Sequence, residues 1–310
     1  MPICVAVRDI LVVGSLNVDL SFVAEKIPAP GETVRAHGLT LGPGGKGLNQ
    51  AIAAARLGGR VHMVGRLGAD RFAEIPRNAL EEAGIDATYV EVLGGEHTGA
   101  ASIVVAESTG ENAITVAGGA NRALLAEHVR DALAAFRASG VLLVQLEAPV
   151  ETVAVALELG REHGLITVLD PAPVLELDDA LLANVDVLTP NGLEAQALSG
   201  FAVHDVESAA AAAARLRERS GGDVIVTLGA QGCVWASATG FAHVPVPRVR
   251  ALDTTGAGDA FNGGLAVALA SGEPLARALH RAVAAGAAAT LAYGAAAAMP
   301  TLEDLSRLPA

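Results

Sequence analysis

Short runs rich in Val, Ile and Leu recur along this chain, and stretches of helical periodicity separate them. Ile10–Gly14, Val61–Gly65, Val141–Leu146, Leu165–Asp170, Val185–Thr189 and Asp223–Leu228 read as strands buried on both faces. Amphipathic helices are expected over Asn49–Leu57, Phe72–Ala83, Arg122–Phe136, Glu151–His163 and Val206–Arg219. Such alternation builds βαβ units, which lay helices on a mostly parallel sheet. The expected fold class is therefore α/β.

Two segments break this rhythm. Leu20–Thr40 and Tyr89–Val116 alternate polar and apolar residues between Gly and Pro turns. They are expected to form antiparallel strands outside the main sheet, paired into a small flap over one edge. The sequence shows no linker long enough to separate two domains and no internal repeat. Residues 1–310 are thus expected to form one domain, with a β lid from about 20–42 and 89–117.

Composition narrows the partners. Hydrophobic residues make up 52 % and charged residues 18 %, which allows a sizeable core. Aromatic residues are only 3 %, so aliphatic side chains must fill it. A net charge of −13 argues against a nucleic-acid partner, which would call for a basic face. It leaves a phosphate ligand open, because backbone N–H groups and a metal ion can hold one on an acidic protein. Cys4 and Cys233 have no metal-ligand spacing, and free thiols in a reducing compartment, the cytoplasm, are expected. Arg8 and Asp9 interrupt the apolar start, so no signal peptide is expected. Ala282–Pro300 carries no charge but is mostly Ala and Gly. A buried helix followed by a loop fits it better than a membrane span.

The most informative string is Asp253-Thr-Thr-Gly-Ala-Gly-Asp-Ala-Phe-Asn-Gly-Gly264. Small residues at Gly256, Ala257 and Gly258 precede a helical pattern from Asp259 to about Ser271. First-turn N–H groups lack internal partners, and the helix dipole adds positive potential there. Together they make an anion hole suited to a transferring phosphoryl group. Asp259 at its mouth suits a base that takes a proton from an attacking hydroxyl. It also suits a simple helix cap.

Other polar residues stand at strand and helix ends. Asn17 and Asp19 follow the first strand, as sugar-hydroxyl partners or as turn formers. Gly45, Lys46 and Asn49 lie in a glycine-rich helix entry, with Lys46 either a ligand donor or a solvated cation. Glu147 follows a buried strand, as a hydroxyl acceptor or as an ion-pair partner. Asn191 and Glu194 have capping-box spacing. Thr227–Gly232 is a strand-end turn with two glycines. Gly14-Ser-Leu-Asn17 lacks the dinucleotide G-x-G-x-x-G, and Gly44-Gly-Lys-Gly47 is no Walker A loop.

The Asp253–Gly264 string resembles the C-terminal signature of the ribokinase family, the PfkB-type carbohydrate kinases. Gly44-Gly-Lys-Gly-Leu-Asn-Gln-Ala51 is similar to the family's N-terminal sugar motif. Further matches follow at Gly14-Ser-Leu-Asn-Val-Asp19, Pro30-Gly-Glu-Thr33, Gln145-Leu-Glu-Ala-Pro149, Asp170-Pro-Ala-Pro173, Thr189-Pro-Asn-Gly-Leu-Glu194 and Thr227-Leu-Gly-Ala-Gln-Gly232. The resemblance implies a three-layer sandwich with a small β-strand lid. It implies phosphoryl transfer from ATP to the 5-hydroxymethyl group of a pentose, D-ribose first, with deoxyribose, another sugar or a nucleoside as alternatives. Asp259 would be the base, with Gly256, Ala257 and Gly258 as the anion hole.

Asn17, Asp19, Gly45, Lys46, Asn49, Ala101, Ile103 and Glu147 match the family's sugar positions. Asn191, Glu194, Thr227, Leu228, Gly229, Gly232, Gly258 and Val283 match its nucleotide positions, with Glu194 in the phosphate–Mg²⁺ network. Mg²⁺ would arrive with ATP. Asp253, Thr255, Ala289, Ala292, Gly294 and Ala298 match its K⁺ site, mostly through carbonyl oxygens. Ala298 departs from the family's usual hydroxyl residue, and Val283 from a polar residue near adenine. The lid's few aromatics, Phe22 and Tyr89, weigh against a nucleoside. A non-catalytic regulator would be expected to lose the base or the anion hole. Pairing of two lids into a homodimer is also implied.

Overall fold

The computed structural model describes residues 7–107, 109 and 111–309. Strands are numbered along the chain: β1 (Asp9–Val13), β2 (Asn17–Ala24), β3 (Ala36–Gly44), β4 (Val61–Gly68), β5 (Asp86–Leu93), β6 (Gly99–Ala106), β7 (Asn112–Ala117), β8 (Ser139–Gln145), β9 (Ile166–Asp170), β10 (Val187–Leu188), β11 (Asp223–Thr227), β12 (Cys233–Ser237) and β13 (Gly240–Val244). Helices are α1 (Lys46–Arg56), α2 (Glu74–Glu82), α3 (Ala126–Asp131), α4 (Leu133–Ala138), α5 (Val150–Glu162), α6 (Asp179–Leu182), α7 (Gly192–Ser199), α8 (Val206–Ser220), α9 (Ala257–Ala270), α10 (Leu275–Ala289) and α11 (Leu302–Ser306).

Among the described residues, nine strands form one sheet in the order β13-β12-β11-β10-β9-β8-β1-β4-β5. Pairing is parallel from β11 through to β5, and β12 and β13 are antiparallel. The two sides of β1 show why the chain folds in three layers. Ile10 and Val12 pack with α1, α9 and α10, whereas Leu11 and Val13 pack with side chains of α3, α5 and α8. Alternate side chains thus feed opposite cores. Burying each contributes about 1.5–3 kcal/mol.

The spatial order turns over at β1, which lies between β4 and β8. In an open α/β sheet, ligands bind beyond the carboxyl ends of strands at such a point. Gly14–Asn17, Leu146–Glu147 and Asp170 all leave the sheet on that side.

A second, four-stranded sheet has the order β3-β2-β6-β7. Paired residues share a face. Asp19 pairs with Ala101 and Ser21 with Ile103, while Ile103 pairs with Ile114 and Ala101 with Val116. One face therefore carries Asp19, Ala101, Ile103, Ile114 and Val116.

Several expectations change. Residues 89–93, expected in the lid, belong to β5 at the edge of the main sheet. The helix expected over Arg122–Phe136 is broken. Residues Gly119–Ala123 are 3₁₀, Leu124 and Leu125 are extended, and α3 and α4 meet at Ala132. The Leu124 carbonyl turns outward to accept from Thr152 Oγ1 at 2.7 Å. The strand expected over Val185–Thr189 shrinks to two residues. The β12–β13 hairpin was not anticipated. Ala282–Ala289 closes α10, and no helix among the described residues is long and apolar enough to cross a membrane. Cys4 lies outside the described residues. Cys233 is a buried free cysteine whose thiol burial pushes up to about 12.

Candidate active site

Two helix N-termini converge on the crevice. Helix α1 starts after Gly45, whose φ of 90° places it in the left-handed region. A Cβ there would lie 2.9 Å from the Asn17 backbone nitrogen. The first N–H groups of α1 find partners across the sheet. Lys46 N donates to Glu147 Oε2 at 3.0 Å, and Gly47 N to Ser15 Oγ at 3.3 Å. Ser15 Oγ also donates to Glu147 Oε2, at 2.5 Å. Glu147 therefore meets a helix N-terminus and a hydroxyl, with no arginine partner, and its Oε1 makes no hydrogen bond among the described residues.

Helix α9 starts after Gly256, with φ 77°. A Cβ on Gly256 would lie 2.8 Å from Met299 Cε, and one on Gly258 would meet only open space. Ala257 N donates to Thr254 O at 3.2 Å. The N–H groups of Gly256, Gly258 and Asp259 have no acceptor among the described residues. They can receive an anion at the positive end of the helix.

Asp259 is the third helical residue rather than the cap, and it is 5 % exposed. Its Oδ2 accepts from Asn49 Nδ2 at 2.9 Å and its Oδ1 from Gln50 Nε2 at 3.1 Å. Lys46 Nζ stands 4.0 Å from Asp259 and 3.5 Å from Asp170. Burial pushes the Asp259 carboxyl up to about 6, Lys46 opposes that rise, and Asp170 adds to it. Burial likewise holds Asp170 at about 6. Asp19 is raised to about 7 by burial, then by Glu147 and Asp259. Burial works against the Lys46 ammonium, but Asp170, Asp259, Glu147 and Glu194 outweigh it and keep Lys46 charged. Lys46 is thus a paired cation, its side chain 30 % exposed, rather than a lone surface lysine. One ammonium faces several carboxylates, a setting that can hold polyhydroxyl and phosphate groups together.

The positions expected for nucleotide gather beside α9. A cavity of about 470 Å³ is lined by Thr227, Gly229, Gly232, Gly258, Phe261 and Val283, among others. A second, of about 350 Å³, shares Thr227 and Gly229 and adds Asn191 and Leu228. Asn191 and Glu194 form a full capping box: Glu194 N donates to Asn191 Oδ1 at 2.9 Å, and Asn191 N to Glu194 Oε2 at 2.7 Å. Glu194 lines neither cavity. Burial raises its carboxyl, against the Asn191 N–H and Lys46.

The positions expected to hold K⁺ meet between α9 and the loop after α10. Asp253 Oδ1 accepts from Thr255 N and Oγ1 at 2.9 and 2.6 Å, and Oδ2 from Gly294 N at 2.8 Å. Burial opposes ionisation, yet these donors hold the Asp253 carboxyl below its usual value. Its side chain thus ties two loops together. Among the described residues, no hydrogen bond reaches the carbonyl oxygens of Asp253, Thr255, Ala289, Ala292, Gly294 and Ala298. Free carbonyls beside an anion hole fit a hard monovalent cation. No cluster of His, Cys, Asp and Glu able to hold a metal occurs among the described residues.

Sequence reasoning missed Gln50, Asn121 and Gln145, and gave Asp170 no role. Asp170 ends β9 as Glu147 follows β8, so the strand-end signal was there to read. The three amides carry no such signal, because their meaning lies in partners far along the chain.

The pfkB family carbohydrate kinase profile matches residues 7–302. The chain is 38 % identical to a ribokinase of Haemophilus influenzae over 298 residues, covering 96 % of this chain and 97 % of that one. It is 37 % identical to a deoxyribokinase of Salmonella typhi over 299 residues, at the same two coverages of 96 % and 97 %. The structure of Arabidopsis thaliana ribokinase complexed with ribose and ATP superposes with a TM-score of 0.89 at 31 % identity, covering 97 % of this chain and 98 % of that one. The fold, both sequence signatures and these likenesses agree: the chain belongs to the pfkB family of carbohydrate kinases.

Proposed function

We propose that the protein transfers the γ-phosphoryl group of ATP to the 5-hydroxyl of D-ribose, giving ribose 5-phosphate and ADP. The observation that carries this reading is Asp259, buried beside free N–H groups at the start of α9, hydrogen-bonded to Asn49, 4.0 Å from Lys46 and within electrostatic reach of Asp19. Asn17, Asp19, Lys46, Asn49 and Glu147 hold the sugar, and Gly45 lets it come close. Ala101 and Ile103 cover it from the Asp19-bearing face of the second sheet, which acts as a lid.

ATP lies along Asn191, Leu228 and the Thr227–Gly232 turn, with Val283 against its base. Asp259 takes the proton of the 5-hydroxyl as the oxygen–phosphorus bond forms and the bond to ADP breaks. The N–H groups of Gly256 and Gly258, with Lys46, receive the charge on the phosphoryl oxygens. Mg²⁺, when bound with ATP, supplies further charge neutralisation, near Glu194. K⁺ is the proposed occupant of the carbonyl cluster from Asp253 to Ala298, where it would steady the anion hole.

Ile114 and Val116 lie on the sugar-facing side of the lid yet are 51 % and 49 % exposed. Strands β3 and β7 leave both edges of that sheet open. A homodimer joined lid to lid would cover both features. A cytoplasmic location accords with the free Cys233 thiol. The near-equal likeness to a deoxyribokinase favours 2-deoxyribose as the second reading.

ADP release from ATP–Mg²⁺, with and without K⁺, tests these readings across ribose, deoxyribose, fructose and adenosine. A kcat/KM for ribose well above the others supports the first reading. A preference for deoxyribose moves the assignment to the second. No turnover with any acceptor removes both.

A further inference from the structure

A buried chain of two amides runs behind Asp259. Gln145, the last residue of β8, is fully buried, and its Nε2 donates to Gln50 Oε1 at 2.7 Å. Gln50 Nε2 donates in turn to Asp170 Oδ2 at 2.9 Å and to Asp259 Oδ1 at 3.1 Å. An ionised carboxylate can only accept, so two carboxylates demand the NH₂ end of Gln50. The carbonyl end of Gln50 then faces Gln145, which must donate. Amide orientation is ordinarily ambiguous, but this chain admits one arrangement. Gly14 makes room for it, since a Cβ there would lie 2.1 Å from Gln145 Oε1.

We propose that Gln145, acting through Gln50, is a positioning residue that keeps Asp259 ionised and aimed at the acceptor hydroxyl. The inference rests on Asp259 being the base. One carboxylate oxygen is held by Asn49 and the other by Gln50, so the plane of the group is fixed and its remaining lone pairs point away from both amides. Each N–H donor favours the anion against the pull of burial.

The ionisable groups that act on Asp259 are Lys46 of α1, Asp170 of β9, Asp19 of β2 and Glu194 of α7. Helix α10 meets α9 through Ala282, Ala285 and Gly286, none of which titrates. Three carboxylates and a single cation leave the anion poorly compensated. The Gln50 N–H stands directly between Asp259 and Asp170. If Gln145 no longer donates, the buried Gln50 carbonyl loses its partner, the amide shifts to find another, its hydrogen bond to Asp259 weakens, and Asp259 keeps its proton to higher pH.

The test is the pH profile of kcat/KM for Gln145→Leu, Gln145→Met and Gln50→Met, beside the unaltered enzyme and Asp259→Asn. The acid limb should move up by about half to one pH unit, the scale of one hydrogen bond. The dissociation constant for ribose, measured by calorimetry without ATP, should stay within about twofold. An acid limb in its original place, whether with full rate or a rate lowered equally at every pH, overturns the proposal, as does loss of folding in all three variants. Surviving turnover in Asp259→Asn would instead remove the base assignment, so the two failures are told apart.

Discussion

Asn121 Nδ2 donates to Asn17 Oδ1 at 2.7 Å, and this contact decides which end of the Asn17 amide can meet a ligand. Asn121 has no freedom to turn, because its Oδ1 accepts from Leu16 N at 2.9 Å. Its Nδ2 also reaches Leu16 O at 3.2 Å. Asn17 is left with its NH₂ group to offer, so it donates to a sugar oxygen, whereas Asp19 and Glu147 accept from hydroxyls. A Cβ on Gly99 would lie 2.0 Å from Asn17 Oδ1, so glycine is needed for the pair to form.

Asn121→Leu should therefore raise KM for ribose by about 10- to 100-fold, the cost of one misdirected buried hydrogen bond. The value of kcat should change by only a few-fold, because Asn17 touches no reacting atom. Steady-state kinetics on the folded variant decide this, and an unchanged KM would refute the orienting role.

Asp259→Asn should lower kcat by about 10²–10⁴, the usual scale for removing a general base. Ribose should still bind, since Asn17, Asp19, Lys46 and Glu147 are untouched. Turnover assays paired with calorimetry check both halves. Near-normal turnover would reassign the base.

The raised carboxyl of Asp259 sets the pH dependence. With its pKa at about 6, kcat/KM should fall about tenfold per pH unit below that value, as the base becomes protonated. A rate that stays flat down to pH 5 would place the ionisation elsewhere.

Asp19 makes a separate prediction about stability. Burial pushes its carboxyl up to about 7 in the folded protein, against 3.8 for an ordinary aspartate in the unfolded chain. Between those values the native state holds more protons than the unfolded chain, so stability is lost as pH rises through that window. Asp19→Asn should raise the Tm of the ligand-free protein at pH 8, by about 2 °C for each kcal/mol recovered, with no gain at pH 4. Ribose affinity should fall at the same time. Equal Tm values at pH 8 would mean that Asp19 carries no such strain.

These residues divide according to where their partners lie. The strands of the main sheet were legible because parallel strands buried on both faces are continuous apolar runs. Asp259 was legible because glycines, a helix start and a carboxylate stand together in one string. Gln50, Gln145 and Asn121 were not, because each owes its role to a partner about a hundred residues away, which no local pattern records. Residues 89–93 misled for another reason. The half-exposed β5 alternates like a lid strand, and only its pairing with β4 reveals the main sheet.

Arg56 joins the two halves of the site. It ends α1, whose first residues hold Lys46, Asn49 and Gln50, and its Nη1 donates to the carbonyls of Ala296, Ala297 and Met299 at 3.1, 3.2 and 2.8 Å. That turn backs the anion hole, since Met299 Cε and Ala295 Cα lie 2.8 and 3.1 Å from where a Gly256 Cβ would be. It also presents Ala298 to the proposed K⁺ site. Arg56→Met removes the only charged donor to these three acceptors among the described residues and should cost about 1.5–3 kcal/mol of stability. The K⁺ concentration for half-maximal rate should rise several-fold, while KM for ribose moves less. Arg56→Lys should recover part of the loss, because an ammonium can donate to these carbonyls but not with the planar fork of arginine. Thermal melts across a K⁺ series give a readout independent of turnover. A K⁺-dependent rise in Tm that is the same in Arg56→Met and in the unaltered protein would separate the turn from the cation site.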